Sequence, residues 1–166
     1  MGNFLMPEPT PECKDTLMDH YPGRISAAIL ASGHFVNAKW DREELTIEVT
    51  PEAIVAMCAA LKEDGYNFFE DVTAVDWYPS EPRFQLSYSL LGFALKQRIR
   101  IVARVSEGQS IASITSVWPS ANFYEREVFD LFGIHFSGHP RLTRIMMPDN
   151  WNGHPLRKDY PVEGYR

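Results

Sequence analysis

The chain has 166 residues, of which 45% are hydrophobic and 23% are charged. These proportions are those of a globular domain with a hydrophobic core, and they exclude disorder along the whole chain. The formal net charge of −6 repels the phosphate backbone of nucleic acids, so we predict that nucleic acid is not a partner.

Neither cysteine usage nor hydropathy is typical of a disulfide-built or membrane-spanning protein. Cys13 and Cys58 are the only cysteines, and Cys58 falls on a predicted apolar helix face, where we expect it to fill the core. The longest apolar run, residues 53–61, is far shorter than the roughly 20 residues that span a bilayer. Residues 1–19 lack the apolar or Arg-rich pattern of a leader. We therefore expect a cytoplasmic protein that contacts a membrane only through partners.

The first part of the chain predicts an arm, a helix and a hairpin. Residues 1–20 contain several prolines and acids and predict a flexible arm. Apolar residues at helical spacing predict a short helix over residues 22–32. Alternating hydrophobicity predicts one strand at residues 36–40 and another at residues 45–49, joined by a turn at residues 41–44.

The middle of the chain predicts a second helix and then a run of strands. Thr50, Pro51 and Gly65 are typical of the N-cap, the first turn and the C-terminal end of a helix. Four strands are predicted after this helix, at residues 69–77, 84–91, 97–105 and 114–118. A third helix is predicted over residues 120–132 and is closed by Gly133.

The order of these elements predicts an α+β fold: a single mixed or antiparallel sheet with helices packed on it. An extended C-terminal arm follows, because prolines at four positions after residue 139 exclude a long helix there. No glycine-rich nucleotide-binding loop is present. We predict three parts: a flexible N-terminal arm (1–20), an α+β domain (21–138) and an extended docking tail (139–166).

Aromatic residues on several faces distinguish the third helix. Tyr124, Val128 and Leu131 form one apolar stripe. Three phenylalanines lie off that stripe: Phe123, Phe129 and Phe132. The helix is therefore expected to be buried on two sides, by the sheet and by either the chain's own tail or another protein. The tail combines cations with large apolar residues in a non-helical segment, which is typical of an arm laid across a partner.

The third helix and the tail together resemble the hallmark segment of the C subunit of proton-pumping NADH:quinone oxidoreductase (respiratory complex I). Order and spacing agree between residues 124 and 161. We take the residues that carry the resemblance as a candidate interface motif: Tyr124, Glu125, Arg126, Glu127, Asp130, Gly133, His139, Pro140, Arg144, Gly153, His154, Pro155, Leu156, Arg157, Lys158, Asp159, Tyr160 and Pro161.

The resemblance implies a scaffold subunit of the hydrophilic, peripheral arm that catalyses nothing alone and holds no cofactor or metal. NADH, FMN, iron–sulfur clusters and quinone would bind to other subunits. It also implies contact with the D subunit, which helps to form the quinone pocket, and with nearby iron–sulfur subunits. The complex would hold this chain at the cytoplasmic face of the bacterial plasma (inner) membrane. Membrane-bound hydrogenases, formate hydrogenlyases and the photosynthetic ferredoxin:plastoquinone enzyme contain related subunits and are alternative assemblies.

The acids of the third helix are also compatible with a different function, an autonomous hydrolase or lyase that uses Glu125, Glu127 or Asp130 with a tail histidine. Such catalysis requires two groups whose environments separate their pKa values. Cations lie nearer to these acids in sequence, so we favour a structural charge network of Glu125, Arg126 and Glu127. We also expect the tail from His139 onward to be mobile in the isolated chain and ordered in the complex.

Three other groups of residues have alternative interpretations. Three histidines are candidate zinc ligands: His135, His139 and His154. Neighbouring glycine and proline break any helical spacing, and no cysteine is near, so we predict no metal site. Three arginines of one predicted strand are candidates for nucleic-acid contacts: Arg98, Arg100 and Arg104. We favour a basic sheet face that meets an acidic helix or partner. Four tryptophans are expected to anchor the core or an interface: Trp40, Trp77, Trp118 and Trp151.

Overall fold

The computed structural model describes residues 10–20 and 34–164. Its helices are α1 (Pro11–His20), α2 (Ile54–Glu63) and α3 (Ala121–Phe132), and a 3-10 turn over Pro51–Ala53 leads into α2. Its strands are β1 (Phe35–Asp41), β2 (Glu44–Val49), β3 (Phe68–Asp76), β4 (Phe84–Gly92), β5 (Gln97–Val105), β6 (Ile111–Ala112) and β7 (Phe136–Ser137).

Most of the strands form one five-stranded sheet in the order β1-β2-β5-β4-β3. β2 and β5 are parallel, whereas the pairs β1–β2, β4–β5 and β3–β4 are antiparallel. β6 and β7 form a small parallel pair of their own. The predicted α+β fold with a mixed sheet is confirmed.

One face of the sheet carries the hydrophobic core. Buried and half-buried residues alternate along β4, and Leu86, Tyr88 and Leu90 on its inner side are fully buried. This is the period of two that a half-covered sheet requires. The inner side of α2 joins the same core, and its Cys58 is fully buried, as the sequence predicted. α3 packs beside β3, which places the candidate motif at one edge of the sheet.

The other face of the sheet is charged but locally neutralised. Each of the three arginines of β5 pairs with a glutamate on another strand: Arg98 with Glu70 at 3.2 Å, Arg100 with Glu44 at 2.8 Å and Arg104 with Glu48 at 2.8 Å. The acids that face this basic strand therefore belong to its own sheet. An acidic helix or partner, as predicted, is therefore not needed to neutralise these three arginines.

One predicted strand is wrong. Residues 115–117 form a turn, and the strand of this region is the shorter β6. The backbone N–H groups of Val117 and Trp118 both donate to the carbonyl oxygen of Ile114, at 2.9 and 3.0 Å. These bonds close the turn that brings the chain into α3. The apolar residues of 114–118 therefore reflect burial of the turn and not an extended backbone.

The N-terminal region contains a helix where the sequence predicted a flexible arm. α1 packs on β1, its Leu17 is fully buried, and the Cys13 thiol donates to Asn37 Oδ1 at 2.8 Å. The predicted helix over residues 22–32 lies outside the described residues, and the division into three parts remains a prediction. In the described parts of the chain, no helix is long and apolar enough to span a membrane.

Candidate functional site

The motif residues form one unit, the α3–tail module, which we define as α3 together with residues 139–164. α3 ends at Gly133, whose φ of 76° is left-handed and whose N–H donates to Phe129 O at 2.8 Å. A Cβ atom on Gly133 would lie 2.6 Å from the His154 ring and 2.7 Å from Arg157 Nη2. Glycine is therefore required both by the backbone conformation and by the close approach of the tail.

The tail supplies hydrogen bonds to the last carbonyl groups of α3, which have no partner inside the helix. His154 Nδ1 lies 2.8 Å from Asp130 O, Leu156 N donates to Leu131 O at 3.0 Å, and the Arg157 Nε–H donates to Phe132 O. Helix ends are stabilised when these carbonyls are satisfied and when a cation lies near them. The tail therefore forms the C-terminal cap of the helix. The predicted second burying side of the helix is the chain's own tail.

Asp130 organises the next part of the module. It is fully buried, and its Oδ2 accepts the N–H groups of Ile145, Met146 and Met147 at 2.7–2.9 Å. Its Oδ1 pairs with Arg144 Nη1 at 2.6 Å. Burial would raise the pKa of Asp130, but these hydrogen bonds to the charged carboxylate lower it below its usual range. Asp130 is therefore a structural anion that fixes the loop at residues 144–147.

The predicted charge network of Glu125, Arg126 and Glu127 is wrong. Arg126 donates instead to the carbonyl oxygens of Thr143 at 3.0 Å and Arg144 at 3.1 Å. Adjacent residues of a helix point about 100° apart, so consecutive side chains do not face one another. Glu125 points into the core, Arg126 points to the tail, and Glu127 lines a groove beside β3.

Glu125 is fully buried beneath the loop that follows β6. Its carboxylate accepts the Ser113 hydroxyl at 2.6 Å and the Ile114 N–H at 2.7 Å. His139 Nε2 lies 3.9 Å from Glu125 Oε2 and 3.2 Å from Asn122 O. Burial raises the pKa of Glu125 and lowers the pKa of His139. Both shifts favour the neutral forms, so we interpret this close approach as a packing contact rather than an ion pair.

A second polar cluster, which the sequence did not predict, ties the tail to the sheet. Arg83, at the start of β4, is almost wholly buried and donates to Asp76 at 2.8 Å and to Asp159 at 2.6 Å. Its Nη1 also donates to Glu107, which in turn accepts from Arg157. Arg83 and Asp159 are 76 positions apart, so no local pattern in the sequence could mark this contact.

The electrostatics of this cluster favour its charged form. Burial would raise the pKa of Asp76, but the hydrogen bonds from Arg83 and from the N–H groups of Lys158 and Tyr78 lower it to about 2. The pKa of Asp159 is likewise lowered, chiefly by its hydrogen bond from Arg83. Opposite charges and hydrogen bonds to a carboxylate stabilise its ionised form.

The remaining motif residues shape the module. The Tyr124 ring packs edge-on against Phe69, with 5.7 Å between centroids. The other motif residues lie in the loops and turns of the tail: Pro140, Gly153, Pro155, Tyr160 and Pro161. The three candidate histidine ligands are not brought together, and the described ranges contain no group of three His, Cys, Asp or Glu residues that could hold a metal.

Several apolar side chains remain exposed on the module, although many of its charged groups are paired or hydrogen-bonded. Ile145, Met146 and Trp151 are 39%, 61% and 40% exposed, and Phe123 at the start of α3 is 61% exposed. We call these four residues the apolar patch. Of the other tryptophans, Trp118 stacks in the core against Phe69. Four charged residues of the α3–tail module bind its own backbone: Arg126, Asp130, Arg144 and Arg157. Its outward surface carries the apolar patch together with exposed charged side chains such as Glu127, Arg141 and Lys158.

Comparison with known proteins identifies the family of the chain. Residues 47–166 match the family model of the respiratory-chain NADH dehydrogenase 30 kDa subunit. The chain is 44% identical over 151 residues to the NADH-quinone oxidoreductase C subunit of Roseiflexus castenholzii, covering 89% of this chain and 83% of that protein. It is 51% identical over 125 residues to the corresponding C subunit of Geotalea uraniireducens, covering 74% and 76% of the two chains.

Two solved structures share the fold. A trypsin-resistant fragment of Nqo5 has a TM-score of 0.61 and 30% identity, covering 72% of this chain and 97% of the fragment. A chain of the membrane-bound sulfane sulfur reductase, an archaeal respiratory membrane complex, has a TM-score of 0.72 and 27% identity, covering 83% and 84%. The resemblance read from the motif is confirmed: the chain belongs to the family of the respiratory-chain NADH dehydrogenase 30 kDa subunit, which includes the C subunit of NADH-quinone oxidoreductase.

Proposed function

We propose that this chain is a scaffold subunit of the peripheral arm of NADH:quinone oxidoreductase and that it catalyses no reaction alone. The observation that carries the proposal is the state of the motif's charged groups. Glu125 and Asp130 are fully buried and hydrogen-bonded within the chain, so neither can reach a substrate. A general acid or base must come within hydrogen-bond reach of its substrate. This geometry argues against Glu125 or Asp130 as the general acid or base of an autonomous hydrolase or lyase.

We further propose that the apolar patch, at residues 123, 145, 146 and 151, docks on neighbouring subunits. Asp130 fixes the loop that presents Ile145 and Met146, so little conformational entropy is lost when a partner covers them. Exposed apolar residues on a fixed loop are typical of a protein interface. The partners that we propose are the D subunit and the neighbouring iron–sulfur subunits.

The names of the relatives support the wider setting of this proposal. NADH, FMN, the iron–sulfur clusters and quinone are then bound by other subunits, and this chain positions those subunits without holding a cofactor itself. In this proposal, residues 139–166 are the docking tail, and the complex holds the chain at the cytoplasmic face of the bacterial plasma membrane. Contact with the membrane is indirect.

The proposal is tested with affinity-tagged chain expressed in its native host. Met146→Glu places a charge in the apolar patch and is expected to reduce the amounts of the D subunit and of the iron–sulfur subunits that co-purify. The reason is that a buried, unpaired carboxylate costs several kcal/mol. Val162→Glu is the matched control, because Val162 is fully exposed in the same tail.

The measurement is mass spectrometry of the co-purified subunits, together with quinone-reductase activity per assembled complex. Equal recovery of subunits with both variants would exclude the apolar patch as the docking surface. If no other component of such a complex co-purifies with the unaltered chain, the scaffold function itself fails.

A second candidate is the equivalent subunit of a related respiratory complex. The observation behind this alternative is the fold shared with a chain of the sulfane sulfur reductase, at a TM-score of 0.72 over 83% of this chain. The same purification separates the two candidates. NADH-binding and flavin subunits among the co-purified chains support NADH:quinone oxidoreductase, whereas hydrogenase-like or sulfur-reducing subunits support the alternative.

A further inference from the structure

One long edge of the sheet has no neighbour within the described residues. β3 is nine residues long and pairs with β4 on one side only. Trp77 N donates to Arg83 O of the β4 side, and the antiparallel register continues unbroken from Asp76↔Phe84 to Asp71↔Ser89. Because hydrogen-bonding direction alternates along an antiparallel strand, the N–H and C=O groups of Val72 and Ala74 point to the free edge. Soluble proteins normally cover or interrupt such an edge.

A groove of about 280 Å³ runs between this free edge and α3. The helix side is formed by Tyr124, Val128 and Leu131, and Leu156 of the tail also lines the groove. The helix wall is therefore mainly apolar, while the strand wall offers backbone donors and acceptors that are unpaired within the described residues. An extended peptide fits such a site, because its backbone can pair with the strand while every second side chain faces the helix.

The groove is also negatively charged. Asp71 and Glu127 both line it. Asp71 Oδ1 is buried and has no hydrogen-bond partner among the described residues. Glu127 has no ion pair within the same residues, whereas the neighbouring acids Glu125 and Asp130 are fully engaged. A buried carboxylate oxygen without a donor is costly, so the occupant of the groove must supply a donor or a cation.

We propose that an extended segment of a neighbouring subunit, carrying a lysine or arginine, adds to β3 as a sixth strand and fills this groove. The inference rests on the proposed scaffold function, since it requires a neighbouring subunit. It assigns that neighbour an interface separate from the apolar patch. Backbone pairing supplies the affinity, and Asp71 and Glu127 select a cationic segment.

A second copy of this chain fits the groove less well than a cationic partner. Pairing β3 with β3 of another copy would bring two sets of Asp71 and Glu127 to one interface. Like charges that face one another across an interface oppose association. The net charge of −6 adds to this repulsion. Charge complementarity therefore favours a different protein of the complex.

The first test blocks the edge without breaking the sheet. Ala74→Pro removes an edge N–H but leaves the bonds between β3 and β4, because residue 74 points away from β4. Ala74→Gly is the matched control, since it removes the side chain but keeps the N–H. In the tagged native complex, we expect Ala74→Pro to reduce recovery of one neighbouring subunit by at least about fivefold, the factor for one lost hydrogen bond. Ala74→Gly should retain that subunit.

The second test examines charge. Glu127→Lys should reduce recovery of the same subunit, and Glu127→Gln should have a smaller effect. Thermal unfolding of each purified variant checks that the chain still folds. If both Ala74→Pro and Glu127→Lys fold and recover every subunit at the unaltered level, the proposal is wrong.

The third test identifies the occupant. A photo-crosslinking amino acid replaces Thr73, which is exposed and lines the groove, and the complex is irradiated before digestion. A crosslink to an extended, lysine- or arginine-containing segment of another subunit supports the proposal. A crosslink to a second copy, to another part of this chain or to no protein overturns it. If neighbouring subunits still co-purify in that case, the scaffold function stands and only the sixth strand is rejected.

Discussion

Gly133 occupies the one position where the end of α3, the His154 ring and the Arg157 guanidinium meet. Gly133→Ala is expected to destabilise the chain by more than the strain of a left-handed alanine, which is about 1–3 kcal/mol. The added Cβ must displace both tail side chains and therefore weaken the cap of the helix. The free energy of unfolding, measured with denaturant, tests this expectation.

Gly138→Ala is the control for that substitution. Gly138 has almost the same φ, 77°, but a Cβ there would meet no atom within 4 Å. It should therefore show the backbone strain alone. Equal losses in the two variants would mean that the tail does not pack tightly against the helix end.

Single residues also mark how far sequence could predict the site. The motif residues were found by their order and spacing, and many of them do meet in one module. Their roles were not predictable, because Glu125, Arg126 and Glu127 differ only in the direction that the helix gives each side chain. That direction depends on which face the sheet buries. Arg83 was missed because its partners come from β3, from the loop after β5 and from the tail.

At the scale of elements, the tail is hydrogen-bonded to a helix and to the sheet of the domain. The sequence predicted a segment that is mobile until it binds a partner, since prolines exclude a helix. In the structure, hydrogen bonds join the tail to α3, Arg83 and Asp76, and its mobility in the isolated chain stays a prediction. Periodicity identifies helices and strands but carries no signal for an irregular segment that is fixed by long-range polar contacts. The strands of the sheet, by contrast, were predicted well because one face is buried.

Acid should weaken the contact between tail and sheet. The pKa of Asp76 is about 2 in the folded chain and near 3.8 when unfolded, so its charge stabilises the fold above pH 4. This contribution, on the order of 2 kcal/mol, is lost as the pH falls from about 4 to 2. Thermal unfolding across that range should show a decrease in melting temperature, and this decrease should be smaller in Arg83→Met.

Arg83→Met should also lower stability at neutral pH, because it leaves Asp76 buried and without its cation. Lys39→Met is the control, since the Lys39–Asp41 pair is exposed on β1. If both variants keep the same dependence on pH as the unaltered chain, the cluster around Arg83 does not set the acid stability of the fold.

At the scale of the whole molecule, the sheet combines pairings between consecutive strands with one pairing between strands far apart in the sequence. β3, β4 and β5 follow one another as antiparallel neighbours. β2, by contrast, pairs in parallel with β5, although α2, β3 and β4 separate the two strands along the chain. The order of elements predicted the fold class, but not this pairing, because nothing local specifies which distant strands meet.

This topology predicts an order of folding. The β3–β4–β5 part closes short loops, so it should form before the β1–β2 hairpin docks against β5. Pulsed hydrogen exchange during refolding should protect the amides of β4 before those of β2. Simultaneous protection of all five strands would contradict the prediction.

The parallel contact between β2 and β5 has a consequence for synthesis in the cell. Leu45 pairs with Ile99 and Val49 pairs with Ala103, so the hairpin leaves the ribosome well before the strand that covers it. At about 5–20 residues per second, the wait lasts about 3–10 s. During that time the unpaired edge of β2 can meet other newly made chains. The yield of soluble protein should therefore depend on how crowded the translating ribosomes are and on how quickly a chaperone reaches the hairpin.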